Sequence, residues 1–238
     1  TSQINDSAAV PANAPVSDSG TDAPADSSAD SEADSNTDAN GDTSIHVVAV
    51  GDNLVQQCVY QSAQAHSQDG TSYNFDYCYD NIKPLINGDL NIINQETLIC
   101  GDGFEVSGSN FNFNSPTELG DAVVGMGFNV ITMCNNHLLD KGESGLNSCL
   151  NYWDQKMQQY PDLLTCGVYR DYVDMQNIRT KEFNGKTVAF LSYTENTNGY
   201  SLPSNSELEI IYTSQEDLIQ QQIAAAKEIA DVVVVTCH

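Results

Sequence analysis

FNVITMCNNHLLDKGESGL, residues 128–146, is the stretch on which the reading of this chain turns. A strand-like apolar run passes into two asparagines, a histidine and, three positions later, Asp140. Residues 143–159 then carry Leu146, Leu150, Trp153 and Met157 at helical spacing, a single stripe suited to core packing. Strand, polar turn and helix in succession form the repeating unit of an α/β sheet. The turn itself has two readings. Asn and Asp favour turns for local reasons. The carboxyl ends of strands are also where open α/β sheets take up ligands.

The same unit recurs in both directions along the chain. HVVAV (46–50) and DLNII (89–93) read as strands, and so do LLTCGV (163–168), TVAFLSY (187–193) and the closing DVVVV (231–235). Ser115, Pro116 and Glu118 have the spacing of a capping box with proline at the first helical position. They predict a helix running to about Met126 and stopped by Gly127. Residues 214–229 hold Leu218, Ile219, Ile223, Ala226 and Ile229 at helical spacing. Continuous apolar strands separated by helices predict a sheet buried on both faces.

The strand ends carry the chemistry. HVVAVGD ends at Asp52, DLNIINQE at Glu96, FNVITMCNNH at Asn135, Asn136 and His137, and DVVVVTCH at His238. Each has an ordinary explanation when taken alone. Asp52 would cap a helix, Glu96 would be a surface acid, His238 a terminus, and NNH a loop. Four polar ends on neighbouring parallel strands converge on one volume, and their joint occurrence favours a site. Carboxylate, amide oxygen and imidazole together suit one or two divalent ions of Mn, Fe or Zn. Such an ion would polarise a phosphoryl or carbonyl oxygen and acidify a bound water. His137 would protonate a leaving group, and Asp140 would orient its ring. Cys134 and Cys237 adjoin candidate ligands, but strand alternation turns them away, toward packing.

Composition sets the outer bounds. Residues 1–44 contain nine acids, no Lys or Arg and no aromatic residue, and they read as a disordered acidic tether. The domain from residue 45 to 238 keeps 24 acids against eight Lys and Arg, a balance of −16. That surface repels phosphate backbones, which argues against a nucleic-acid partner. No apolar run approaches the ~18 residues of a membrane span. A long polar tether that starts at Thr1 fits a surface protein whose N-terminal export signal and anchor have been removed. The seven cysteines contain no CxxC pair, and their pairing stays open.

The series AVGDNL, NIINQE, GFNVITMCNNHLLDKGESGL, FNGKTVAFLSYTEN and DVVVVTCH resembles the bacterial capsule-synthesis (CapA, poly-γ-glutamate biosynthesis) family, a branch of the calcineurin-like metallophosphoesterases. The resemblance covers residues 46–238. It implies a four-layer α/β/β/α sandwich with Asp52, Glu96, Asn136 and His238 at metal-ligand positions and His137 with Asp140 as the catalytic pair. Metallophosphoesterases carry Asp-x-His at the first motif, where this chain has Asp52-Asn53-Leu54. The family also continues past the equivalent of His238, so a C-terminal fragment is expected. The implied function is a metal-dependent hydrolase-like role at the cell surface. It would act on an anionic polymer such as poly-γ-glutamate, or with the machinery that makes it. The alternative is a non-catalytic assembly or binding factor.

Overall fold

Among the described residues, the strand-rich runs of the sequence sort into two main sheets and two small antiparallel pairs. The computed structural model describes residues 44–109 and 112–238; apart from Ser44, the acidic segment read as a tether lies outside them. The first half of the domain holds β1 (Val47–Asp52), α1 (Gln57–Ala65), α2 (Asp76–Tyr79), β2 (Leu90–Asn94), β3 (Ser107–Ser109) and β4 (Asn112–Asn114). There follow α3 (Thr117–Gly125), β5 (Val130–Thr132), α4 (Gly142–Gln159), β6 (Leu164–Cys166) and β7 (Val168–Tyr169). The last part holds α5 (Tyr172–Gln176), β8 (Arg179–Phe183), β9 (Lys186–Tyr193), β10 (Glu209–Ile210), α6 (Glu216–Ile229) and β11 (Val232–Cys237).

One sheet is wholly parallel in the order β1-β2-β5-β6. The other has the order β11-β9-β8, with β11 parallel and β8 antiparallel to β9. Period-two alternation divides each central strand between two cores. Leu90, Ile92, Val130, Cys166, Val188 and Phe190 meet between the sheets. Ile93 and Ile131 face the other way, against Ala63 of α1, Leu119 and Val123 of α3, and Leu146, Leu150 and Trp153 of α4. Ala189, Leu191 and Tyr193 face Met175 of α5 and Ala226 of α6. The layers therefore run helices, sheet, sheet, helices, the α/β/β/α order.

Two sequence expectations need correction. β1 and β11 are not buried: Val47 is 46 % exposed and Val232 45 %. Among the described residues both are edge strands, each with a single ladder partner. An open groove of about 350 Å³ runs between them, lined by Val47, Ala49, Val50, Val234 and Val235. The capping box also does not form. Pro116 takes the cap position of α3 without a side-chain bond, and the Ser115 hydroxyl pairs with the Thr97 hydroxyl at 2.8 Å. Ser115 is 1 % exposed, and a buried partner claims its oxygen before the helix can.

Candidate metal centre

β1 reaches the site through an irregularity. It pairs with β2 in step from Val47 opposite Leu90 to Val50 opposite Ile93, and then Asp52, rather than Gly51, falls opposite Asn94. One extra residue on one strand is a β-bulge. Before it, Val47 and Ala49 stand opposite the inter-sheet residues Leu90 and Ile92, while Val48 packs against the helix-side core. Plain alternation would turn Asp52 with Val48 toward the helices. The bulge brings it to the inter-sheet side, where its Oδ1 accepts from Asn94 Nδ2 at 2.7 Å. On β11, Val234 packs between the sheets and Val233 against the α6 side, so alternation alone gives His238 the inter-sheet direction.

There the groups meet. His238 Nε2 lies 3.4 Å from Glu96 Oε1 and 3.0 Å from Asn136 Oδ1, and His238 Nδ1 lies 3.4 Å from Asp52 Oδ1. Asp52, Glu96 and His238 each offer a ligand atom within 4.8 Å of the others. Two donors about 2.1 Å from one cation stand about 3.0 Å apart at a right angle and about 3.4 Å apart at the tetrahedral angle. The separations around His238 Nε2 match that spacing. Among the described residues, the ion-pair partners of Asp52, Glu96 and Asp140 are all histidines. Glu96 is 5 % exposed. Burial pushes its carboxyl above the ordinary carboxylate range and Asp52 adds to the shift, while His238 and His137 oppose it. A cation would supply the charge that this cluster lacks, so the donor set fits a divalent ion.

Beside the cluster stands a buried histidine–carboxylate pair. His137 Nδ1 donates to Asp140 Oδ2 at 2.9 Å, and the same oxygen accepts the Phe113 N–H at 2.7 Å. Burial raises the Asp140 carboxyl, against those two hydrogen bonds. The Phe113 ring meets the imidazole edge-on at 4.6 Å. With Nδ1 committed, Nε2 is the nitrogen turned toward the cluster, 3.9 Å from Glu96 Oε1.

The polar turn divides by residue between turn contacts and the cluster. Asn135 is the turn: its Oδ1 accepts the His137 N–H, and its Nδ2 donates to the carbonyls of Met133 and Gln95. Asn136 and His137 face the cluster, and Asp140 bonds His137. Asn53 lies on the far side of β1's end, bonded to Gln95 and Tyr79. Cys134 is buried, with its thiol toward the Ile211 carbonyl. Cys237 is exposed, which corrects its assignment to packing, because β11 is an edge. All seven cysteines are free thiols.

Two residues were missed. Asn94 bridges Asp52 and His238, its Nδ2 lying 3.2 Å from His238 Nδ1. It sits two positions before Glu96 in the same strand end, a signal that was available. Asn198 bonds Asn136 from a distant loop, and its only local mark is the turn-type pair Asn198-Gly199.

Fold and geometry together define an α/β protein with a cluster of ligand-type side chains at its strand ends. The family described as bacterial capsule synthesis protein PGA_cap matches residues 46–238, and the chain belongs to that family. It is 25% identical over 174 residues to the capsule biosynthesis protein CapA of Bacillus anthracis, covering 70% of this chain and 41% of that one. The chain thus spans under half the length of this curated relative. Among solved structures it is similar to a Staphylococcus aureus protein assigned as a 5′-nucleotidase, at 16% identity and TM-score 0.42 over 80% of this chain and 36% of that chain. A phosphatase of Mycoplasma pneumoniae is 17% identical with TM-score 0.40, over 82% of this chain and 56% of that chain.

Proposed function

We propose that Asp52, Glu96, Asn136 and His238 hold a divalent cation of Mn, Fe or Zn type, and that the chain is the metal-dependent, hydrolase-like part of a capsule-synthesis protein. The observation that carries this reading is the meeting of three ligand-type side chains from separate strands within 4.8 Å. When bound, the ion would polarise a phosphoryl or carbonyl oxygen and lower the pKa of a water. The rest falls to the chain's own groups. Asp140 holds the Nδ1 proton of His137 and so fixes the ring. In the doubly protonated imidazole, Nε2 carries the proton that a departing oxygen takes up, and the Phe113 edge keeps the ring from turning.

Membership of the capsule-synthesis family supports a cell-surface role in making an anionic polymer such as poly-γ-glutamate. The second reading, a non-catalytic assembly factor for that polymer, draws support from Asn53. This residue turns away to Gln95 and Tyr79, and no histidine follows it, so the first ligand motif contributes Asp52 alone. Metal content of the purified protein, together with turnover of bis(p-nitrophenyl) phosphate before and after chelation, decides between the two. Bound metal with chelator-sensitive turnover is expected. Bound metal without turnover would favour the assembly factor, and absence of both would overturn the metal site.

A further inference from the structure

An amide side chain is a poor choice of ligand unless something fixes which end points inward. Its oxygen and nitrogen are nearly the same size, and the terminal torsion is broad and two-fold. The oxygen can meet a cation; the NH₂ group is a donor only. Asn136 faces this problem. Its Oδ1 lies 3.0 Å from His238 Nε2, on the cluster side, and its Nδ2 donates to Asn198 Oδ1 at 3.1 Å. The partner that breaks the symmetry therefore comes from residues 194–200, a loop remote in sequence.

The loop is built to present that oxygen. Asn198 and Gly199 have φ of +53° and +80°, and the Tyr200 N–H bonds the Thr197 carbonyl at 3.0 Å. Two successive positive φ values inside such a bond make a type I′ turn, for which Asn-Gly is the preferred pair. The Thr197 hydroxyl donates to the Tyr200 carbonyl at 2.6 Å, and the Asn198 N–H donates to Asn196 Oδ1 at 2.9 Å. The other end of the Asn198 amide, its NH₂, lies 3.4 Å from His137 Nδ1 and makes no hydrogen bond there, because Nδ1 itself donates to Asp140, so the bond to Asn136 is what orients Asn198. A flipped Asn198 would set its NH₂ against the NH₂ of Asn136, donor against donor.

We propose that Asn198 is a positioning residue that holds the Asn136 amide with its oxygen toward the cation. The proposal rests on the metal site described under Proposed function. Its chemistry makes a specific demand: the Asn198 side chain matters only while residue 136 is an amide. A carboxylate at 136 has no wrong end to present.

A four-protein cycle tests this, with Mn²⁺ as the probe and free Mn²⁺ measured by electron paramagnetic resonance. Asn198→Gly suits the positive φ and keeps the turn, so the substitution removes the side chain without straining the backbone. It is expected to weaken Mn²⁺ binding at least ten-fold, within the 10–100-fold usual for groups that orient metal ligands. In an Asn136→Asp background, the same Asn198→Gly change is expected to alter affinity less than two-fold. Circular dichroism checks that all four proteins fold alike. Equal weakening in both backgrounds would mean that the loop acts by general packing, and would overturn the proposal. So would unchanged affinity in Asn198→Gly alone. Failure of the unsubstituted protein to bind Mn²⁺ would instead remove the metal site, and this inference with it.

Discussion

The candidate site has a closed half and an open half, and they are built differently. Glu96, His137 and Asp140 come from the ends of the central strands β2 and β5, and each is at most 6 % exposed. Asp52 and His238 come from the edge strands β1 and β11, with side chains 51% and 23% exposed. In the closed half, neighbouring atoms fix the histidine–carboxylate pair: Asp140 has the Phe113 N–H, and the His137 ring has Asp140. In the open half, a bulge for Asp52 and simple alternation for His238 bring the side chains to partners on neighbouring strand ends, Asn94 and Asn136. Burial gives precision at the histidine–carboxylate pair, and exposure leaves Asp52 and His238 accessible from solvent.

The largest expected effect tests that division of labour. His137→Ala should leave metal bound and cut any hydrolytic rate by about 10²–10⁴, the usual contribution of a general acid. Asp140→Ala should do the same more mildly, whereas His238→Ala should lose the metal itself. Metal content and rate measured on the three variants decide the matter, and equal metal loss from His137→Ala and His238→Ala would erase the contrast.

Thiol chemistry gives a second comparison. Burial pushes Cys149 up to about 11 and Cys166 up to about 12. At pH 8 only about one Cys149 side chain in a thousand is then the reactive thiolate. Cys58, Cys78 and Cys237 are exposed. Iodoacetamide at pH 8, read by mass spectrometry, should modify these three first, and raising the pH should speed the buried pair. Early labelling of Cys166 would show that the closed half opens.

Two glycines sharpen the contrast further. Gly167 has a φ of +104°, and a Cβ there would meet Cys134 Cβ at 2.7 Å and Ser192 Cβ at 2.9 Å. Gly167→Ala should cost about 2–4 kcal/mol in denaturant unfolding, combining backbone strain with overpacking. Gly51, in the open half, has nothing within 4 Å of such an atom. Gly51→Ala should stay within about 0.5 kcal/mol. A further effect concerns charge. Glu96→Gln removes a carboxylate whose ionised form is penalised by burial, and should stabilise the metal-free protein by about 1 kcal/mol. Asp52→Asn, half in water, should change it less, and a larger gain from Asp52→Asn would reverse the assignment of the two halves.

The sequence disclosed the strand ends because a polar residue after an apolar run stands out whatever the sheet order. Helix α4 was equally plain, since Leu146, Leu150 and Trp153 share one face. Edge position was not legible. Val47 to Val50 and Val232 to Val235 are as β-branched as a central strand, and nothing local records that each has one neighbour. Ser115 matched a capping pattern because the pattern does not register a competing hydroxyl 18 residues earlier. Asn198 lay beyond reach for the same reason: its role is a contact with Asn136 across 62 positions.

The extra residue at Gly51 behaves as a phase shift. A strand assigns its side chains to two faces by counting, and β1 miscounts once, just before its last residue. Deleting Gly51 would place Asp52 directly after Val50, opposite Asn94, where plain alternation already gives the inter-sheet face, so the carboxylate would still reach Asn94 and His238. Such a protein is expected to keep its circular dichroism spectrum and its Mn²⁺ uptake; lost uptake would mean that the bulge supplies reach as well as direction. One ligand direction is therefore open to two chain lengths. Two relatives could agree at every ligand and still align with a gap of one.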